Sequence, residues 1–303
     1  MNSQKKIQRR QIDGVLLLDK PLGLSSNDAL VRAKRLFNAK KAGHTGTLDP
    51  LATGLLPLCF GEATKFSQDL LEADKTYEST LKLGERTATG DAEGAVVASR
   101  PVECEERAVA DVLARFRGEI LQVPPMYSAL KRDGKPLYEY ARAGETLERE
   151  ARPVTIHSLE VIDCALPFVT IRVTCSKGTY VRTLGEDIGE ALGCGAHLTM
   201  LRRTGVGSLT LEHAVTLEQL DAVEPDARET LLAPVDALLG SFEAITLDED
   251  QARRFLHGQR LRISDRGAAE PVRVRIYSPD ARLLGTAQLG DGVLAPERLI
   301  ASA

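Results

Sequence analysis

The stretch GHTGTLDPLATG, residues 43–54, places a single carboxylate, Asp49, among small, hydroxylated and conformationally permissive residues. Pro50 biases the backbone of Asp49 toward extended geometry, and the glycines of the stretch allow a ligand to approach the chain closely. An aspartate before a proline is also common in surface turns. The apolar run LLPLCF, residues 55–60, favours a functional loop, because polar loops anchored in a core often carry binding and catalytic residues.

Four further stretches accompany this loop along the chain. They are GVLLLDKPLGLSSND (14–28), KTYESTLKLGERTATGDAEG (75–94), VPPMYSALKRDGKPLYEYAR (123–142) and CSKGTYVRTLGEDIG (175–189). Together with the residues around Asp49, they resemble the TruB family of tRNA pseudouridine synthases in content and in order. The resemblance extends from about Gly14 to about Gly207. It is specific, because other pseudouridine synthase families carry a different sequence around their aspartate.

The resemblance implies an activity and several binding roles. TruB enzymes convert the uridine at position 55, in the T-arm loop of tRNA, to pseudouridine after flipping the base. By resemblance, Tyr77 stacks on the flipped uracil, His44 enters the RNA loop, and Tyr180 and Leu201 line the uracil pocket. Lys20 is expected near the site, where it contacts phosphate or steadies the aspartate loop. Leu201 also fits an ordinary core residue, and Tyr77 also fits the face of its predicted strand.

The chemistry of the reaction identifies Asp49 as the catalytic residue. An aspartate is ionised at neutral pH and can act as a nucleophile or a base without an activating partner. A buried carboxylate needs a neighbouring cation to stay ionised, and Arg182, near a strand-to-helix junction, is the candidate. Breaking a glycosidic C–N bond and rejoining the base through carbon requires neither a cofactor nor a metal, so we expect neither. A glycosidase would need two carboxylates, and Glu62 and Asp91, in nearby loops, lack a comparable context.

Excess negative charge is concentrated in one segment, so the net charge of the whole chain does not describe the rest of it. The 303 residues carry a net charge of −4, but residues 216–250 alone carry −9, which leaves +5 for the rest. The basic residues form four clusters: Lys5, Lys6, Arg9 and Arg10; Lys34, Arg35, Lys40 and Lys41; Arg202 and Arg203; Arg253, Arg254, Arg260 and Arg262. Such clusters are either solvated faces or, if they share a surface, a phosphate-binding track.

Composition indicates a soluble globular protein. It is 43% hydrophobic and 27% charged, and no apolar run approaches the roughly 18 residues of a membrane span. The basic start MNSQKKIQRRQ is followed by too short an apolar segment for a secretory signal. We therefore expect a cytoplasmic protein with no membrane partner. Its five cysteines include no C-x-x-C pair, which favours free thiols.

Periodicity places the motifs on a few elements. Good N-cap residues at 25–27 precede a helical pattern that is predicted to continue to Lys40 and Lys41. Other helices are predicted over 63–70, 109–116 and 181–192, and strands over 14–18, 77–83, 171–175 and 272–278.

The length of the chain favours two domains. By resemblance, residues 1–240 are expected to form an α+β pseudouridine synthase core, with a mixed, largely antiparallel β-sheet flanked by helices. Residues 123–152, rich in proline and glycine, are expected to form an insertion outside the sheet, which contacts RNA by resemblance. Its outer part, 145–150, also fits a mobile charged excursion. Residues 241–303 are expected to form a small β-rich domain, PUA-like and RNA-binding by resemblance.

Two functions of different class follow from these features. The first is an enzyme that isomerises a uridine of the tRNA T-arm, acting as a monomer and without a guide RNA. The second is a tRNA-binding folding factor that remodels tRNA independently of modification. The intact motif around Asp49 favours the enzyme, because a folding factor has no need of that carboxylate.

Overall fold

The computed structural model describes residues 8–263 and 270–300. Its main feature is a nine-stranded sheet with the order β1-β3-β12-β4-β11-β10-β7, in which β2 pairs with β3 and β13 pairs with β12. The strands of this sheet are β1 (Gly14–Lys20), β2 (Ala42–His44), β3 (Ala52–Phe60), β4 (Lys75–Leu83), β7 (Gly118–Gln122), β10 (Arg152–Ala165), β11 (Phe168–Cys175), β12 (Ala196–Val206) and β13 (Leu209–Thr210). All of their pairings are antiparallel except that of β3 with β12. The predicted mixed, largely antiparallel sheet is therefore confirmed.

A second, five-stranded sheet forms a β-rich C-terminal unit with the order β14-β16-β17-β18-β15. Its strands are β14 (Glu243–Thr246), β15 (Leu261–Arg262), β16 (Val272–Tyr277), β17 (Leu283–Gly290) and β18 (Val293–Leu299). Two small hairpins complete the β structure: β5 (Glu85–Thr87) with β6 (Val96–Ser99), and β8 (Lys131–Arg132) with β9 (Lys135–Pro136). The second hairpin follows β7 and precedes β10 in the chain but pairs with neither strand, so this part of the predicted insertion is outside the large sheet.

Seven α-helices within residues 8–263 and 270–300 flank the sheets. They are α1 (Ser26–Leu36), α2 (Ser67–Glu72), α3 (Glu106–Ala114), α4 (Leu137–Arg142), α5 (Val181–Ala191), α6 (Leu217–Ala222) and α7 (Glu249–Leu256), with 3-10 helices at Gly61–Phe66, Leu211–His213, Arg228–Leu231 and Val235–Leu239. The prediction that α1 continues to Lys40 and Lys41 is wrong. The helix ends at Leu36, because Asn38 adopts a positive φ of 52° and Ala39 is fully buried. None of the helices within the described ranges is long and apolar enough to span a membrane.

The large sheet is covered on both faces, which explains the apolar runs at 15–18 and 55–60. Alternate residues of β1 point to opposite sides. Leu16 and Leu18 pack in the cluster that contains Ala33 of α1, whereas Val15 and Leu17 pack in the cluster that contains Phe66. Strands buried on both faces lose the apolar–polar alternation, so β3 was recognisable only as an apolar run.

The C-terminal sheet has its own core and also packs on the large sheet. Phe242, Leu283 and Ile300 join the cluster on the second face of the large sheet. Arg273 of β16 forms an ion pair with Asp69 of α2. The contact between the two units is therefore both apolar and charged. All five cysteines are free, as expected.

Candidate active site

The loop that carries Asp49 is fixed to its surroundings by backbone hydrogen bonds. The Ser26 hydroxyl of α1 accepts from the Leu48 N–H at 2.7 Å and donates to the Leu48 carbonyl at 3.0 Å. The Ala52 N–H donates to the Asp49 carbonyl at 3.0 Å. Gly46 adopts a φ of 83°, which favours glycine. The Asp49 side chain, 45% exposed, thus projects from a rigid frame at the start of β3.

Arg182 meets Asp49 from the first turn of α5. Its Nη2 lies 2.9 Å from Asp49 Oδ2, and the guanidinium side chain is 8% exposed. Two carbonyls also hold it: Nη1 donates to Thr89 at 3.0 Å and Nη2 donates to Tyr127 at 2.6 Å. The structure therefore forms the ion pair expected from sequence, across 133 residues of chain.

Asp91 is the second carboxylate beside Arg182. Its Oδ2 lies 3.6 Å from Arg182 Nη1, and the residue is 3% exposed. The Thr89 hydroxyl and the Glu93 N–H donate to its Oδ1 at 2.5 and 3.1 Å. Asp91 thus holds Arg182 through Nη1, whereas Asp49 contacts Nη2. Sequence reasoning noted this carboxylate but assigned it no role, because only the fold brings it to Arg182.

Tyr180 is the N-cap residue of α5 and is clamped by Gln122 of β7. The Gln122 Oε1 accepts from the Tyr180 N–H at 2.7 Å, and Nε2 donates to the Tyr180 carbonyl at 3.1 Å. Burial raises the pKa of the Tyr180 phenol. Gln122 was not singled out from sequence, since nothing local marks its amide as the partner of a backbone 58 residues away.

Tyr77 and Leu201 reach the same place on neighbouring strands. Tyr77 lies on β4 opposite Arg203 of β12, and Leu201 lies on β12 opposite Ser79. Burial raises the pKa of the Tyr77 phenol, and the nearby Arg203 guanidinium opposes that shift. Leu201 is 9% exposed, so it is both part of the core and part of the cavity wall.

The predicted site residues described above line a single cavity of about 290 Å³. Its volume is at the lower end of the range of ligand pockets, about 300 to 1,000 Å³. The predicted site residues on its wall are Asp49, Tyr77, Tyr180, Arg182 and Leu201. Tyr127, Ser128 and Ala129 of the predicted insertion also line it, so that segment closes one side of the cavity.

Lys20 and His44 are close to the site but do not line this cavity. Lys20 is fully buried, and its Nζ donates to the carbonyls of Pro21 at 2.9 Å and Leu24 at 2.7 Å. Burial lowers its pKa to about 8, although the charge of Asp49 favours the ammonium form. His44 lies at the end of β2, and burial lowers its pKa. Its Nδ1 is buried and has no hydrogen-bond partner among the described residues.

Two cations of the cavity wall, Arg203 and Lys75, were not predicted from the sequence as site residues. Arg203 was grouped with Arg202 in a basic cluster interpreted as a solvated face or a phosphate-binding track, but Arg203 is 1% exposed and lines the cavity. A signal was present, because residues two apart on a strand share a face and Arg203 follows Leu201. Lys75 also lines the cavity, and its Nζ donates to the carbonyls of Leu71 at 2.7 Å and Leu70 at 3.2 Å. Burial lowers the pKa of Lys75 to about 8.

The remaining basic clusters are mostly exposed, and two of them share a surface. Arg9, Lys34 and Arg35 line one cleft of about 450 Å³, whereas Arg253 and Arg254 lie on α7. Lys5 and Lys6 fall outside the described residues. Arg202 forms a two-point ion pair with Asp19, at 3.0 and 2.7 Å.

Comparison with known proteins gives matches along almost the whole chain. The family described as "TruB family pseudouridylate synthase (N terminal domain)" matches residues 34–181. The "tRNA pseudouridylate synthase B C-terminal domain" matches 182–240, and "Pseudouridine synthase II TruB, C-terminal" matches 244–300.

Individual relatives agree with these matches. The chain is 71% identical to tRNA pseudouridine synthase B of Burkholderia mallei (strain ATCC 23344), over 99% of this chain and 98% of that protein. It is 64% identical to the protein of the same name from Cupriavidus pinatubonensis, with the same coverage. Among solved structures, a Cbf5-Nop10-Gar1 complex aligns with a TM-score of 0.73 and 24% identity, over 97% of this chain and 92% of that one. A structure of an H/ACA RNP bound to a substrate RNA aligns with a TM-score of 0.74 and 24% identity, over 95% and 85%. These structural matches show a shared fold.

Proposed function

Because the chain belongs to the TruB family of pseudouridine synthases, we propose that it isomerises the uridine at position 55 of the tRNA T-arm loop to pseudouridine. The relatives named tRNA pseudouridine synthase B, matched over nearly their full length, support tRNA as the substrate. The assignment of individual residues to steps of the reaction rests on the geometry of the cavity.

The observation that carries the proposal is the pair formed by Asp49 and Arg182 at the cavity. A carboxylate with its oxygen 2.9 Å from a buried guanidinium, and with nearly half of its surface open, is both charged and accessible. The same cavity is walled by two tyrosines, Tyr77 and Tyr180, and by Leu201. One carboxylate, two aromatic faces and an apolar contact are what a flipped pyrimidine needs for binding and for reaction.

The reaction begins with extrusion of the uridine from the T-arm loop into the cavity. His44, at the end of β2 just before the loop that carries Asp49, supports the opened RNA, and Tyr77 stacks on the uracil. Asp49 then acts as nucleophile or base, the glycosidic bond breaks, and the detached base turns within the cavity. It rejoins the sugar through carbon. Arg182 keeps the carboxylate oriented, and Asp91 holds Arg182.

We further propose the setting in which this happens. Residues 1–240 form the catalytic unit, residues 123–152 an RNA-contacting insertion, and residues 241–303 a PUA-like domain that extends the tRNA surface. The protein acts on tRNA in the cytoplasm, as a monomer, without a guide RNA. The folding-factor function is not favoured, because the site retains the partly exposed Asp49 carboxylate, which a folding factor does not need.

Replacement of Asp49 by asparagine tests the proposal. Asparagine is nearly isosteric, so tRNA binding should remain, or tighten slightly because a charge that repels phosphate is lost. Pseudouridine formation should fall to background, measured by mass-spectrometric mapping of tRNA incubated with purified protein and no additive. His44→Ala should slow the reaction or weaken binding without abolishing it, because several groups contribute to base extrusion.

Asp111→Asn, on the exposed side of α3, is the matched control and should behave like the parent. A parent-like rate for Asp49→Asn would show that this loop is not the catalytic centre. Absence of pseudouridine with the parent protein would reject the enzyme function itself and favour the folding factor.

A further inference from the structure

Arg203 is a buried guanidinium whose hydrogen-bonding capacity is only partly used. It lies on β12, between Gly54 of β3 and Tyr77 of β4. Its Nε donates to the Leu55 carbonyl at 2.8 Å, and its Nη2 donates to the Gly46 carbonyl at 3.4 Å. A guanidinium has five N–H donors. The guanidinium also forms a hydrogen bond with the Tyr77 phenol, so three of its five donors have partners among the described residues, and the side chain borders the cavity.

The charge of Arg203 also has no carboxylate partner. Arg182 has Asp49 and Asp91, and Arg202 has Asp19, but within 8–263 and 270–300 no carboxylate forms an ion pair with Arg203. Proteins rarely bury a charge without a counter-charge, because its desolvation is costly. An unpaired cation in the wall of a reaction cavity therefore indicates that a ligand supplies the negative charge.

Other buried cations reinforce this positive region. Lys75 lies on the same wall, and Lys20 is fully buried nearby. The charge of Arg203 contributes to the lowered pKa of each lysine and of His44, which places all three within its field. The ammonium groups of Lys20 and Lys75 are occupied by backbone carbonyls. Of these three described cations, Arg203 is the one that combines a position against the cavity with guanidinium donors that no backbone carbonyl occupies.

The proposed reaction generates negative charge at one defined place. When the bond between the sugar C1′ and uracil N1 breaks, both electrons remain with the uracil, which becomes an anion delocalised over N1, O2 and O4. An electron pair of the turned base then forms the new bond from C5 to C1′. The C5 proton is lost and N1 gains a proton, so no oxidant, reductant or net proton is required. The negative charge develops on the uracil whether Asp49 attacks the sugar carbon or the uracil ring, and in either case the bond from its carboxylate breaks again before the product leaves.

We propose that Arg203 is the counter-charge of the detached uracil, donating from its guanidinium to a uracil oxygen while the base is free of the sugar. The inference rests on the proposed function. Tyr77, the cross-strand partner of Arg203 and the expected stacking surface, places the uracil ring beside this guanidinium. A backbone phosphate is a poorer match, because the 1% exposure of Arg203 leaves it accessible only from within the cavity.

The test compares single-turnover rates of pseudouridine formation in a T-arm stem-loop with the Kd of the same RNA. Arg203→Gln removes the charge at similar volume, and loss of one preorganised donor to a developing anion slows a reaction by about 10²- to 10³-fold. We expect a rate loss of this size with Kd within about threefold of the parent, and a smaller rate loss for Arg203→Lys, which retains the charge. For Arg203→Gly, added guanidinium ion at millimolar concentration should restore part of the rate, which a purely structural role would not produce.

Arg228→Gln is the matched control, because Arg228 is also a buried arginine held by backbone carbonyls, but outside the cavity. It should lower stability and leave the single-turnover rate unchanged. Parent-like rates for Arg203→Gln would overturn the inference, as would a loss of affinity as large as the loss of rate, which would indicate phosphate binding. Failure of the parent to form pseudouridine would instead reject the proposed function.

Discussion

Replacement of Arg182 by glutamine should destabilise the fold through Asp91 rather than through Asp49. Removing one partner of a buried ion pair costs about 3 to 5 kcal/mol, because the other charge is left without compensation. Asp91 is 3% exposed and fits that case. Asp49 is 45% exposed, and pairs open to solvent contribute about 0 to 1 kcal/mol. We therefore expect a loss of about 3 to 5 kcal/mol in the free energy of unfolding, most of it from Asp91.

Two double variants separate these contributions. In Arg182→Gln/Asp91→Asn the stranded charge is gone, while the amide can still accept from Thr89 and Glu93. This double variant should be more stable than the sum of the single losses by about 1 to 3 kcal/mol, as expected for residues in contact. Arg182→Gln/Asp49→Asn should show almost no such coupling. Neither should form pseudouridine, because both lack the guanidinium beside residue 49.

Urea unfolding of the four proteins of each cycle provides the measurement, with the slope on denaturant checked for constancy. The reasoning is refuted if the Asp49 replacement restores stability and the Asp91 replacement does not. That result would mean that the loop carboxylate, and not the buried one, carries the stabilising pair.

Three more outcomes follow from other contacts. Burial lowers the pKa of Lys75 from 10.5 to about 8, so between these two pH values the unfolded chain binds more protons than the folded chain. The free energy of unfolding of the parent, relative to that of Lys75→Met, should therefore rise by about 2 to 3 kcal/mol from pH 8 to 10.5. A difference between the two proteins that does not change with pH would contradict this. Gln122→Met should cost about 1 to 3 kcal/mol, since it leaves the Tyr180 N–H unpaired, and should slow pseudouridine formation more than it weakens RNA binding; equal effects would argue against a positioning role. Truncation after Gly240 should leave a folded, active core with weaker tRNA binding. Its stability should be lower, because Phe242, Leu283 and the ion pair of Arg273 are lost. Calorimetry and tRNA-binding measurements test this, and a core that fails to fold would contradict the prediction.

Sequence reasoning succeeded where the information is local. Alternation along residues 77–83 and helical spacing after Tyr180 gave β4 and α5, because one face of each element is buried and the other is not. The motif around Asp49 and the search for a guanidinium near a strand-to-helix junction led to Arg182. These signals lie within short windows of the chain.

The parts that were missed depend on contacts between distant segments. The strand β12 contains Arg203, which belongs to a basic cluster in the sequence but is buried by pairing with both β3 and β4. Asp91 acquires its role from Arg182, and Gln122 from Tyr180, each through a contact that no local pattern encodes. Burial of polar groups is decided by such partners, so their function could not be assigned before the fold was known.

The position of β12 in the large sheet has a consequence for protein synthesis. This strand, at residues 196–206, is inserted between β3 and β4, which precede it by more than 100 residues. As the chain leaves the ribosome, β1 and β3, which flank Asp49, and β4, which carries Tyr77, lie in two parts of the sheet that have no strand to join them, and Tyr180 and Arg182 follow at α5. We expect a nascent chain to become competent only after residue 206 has emerged, since non-local strand pairing must await its last member. A ribosome arrested before that point would display both halves of the catalytic apparatus, yet modify no RNA.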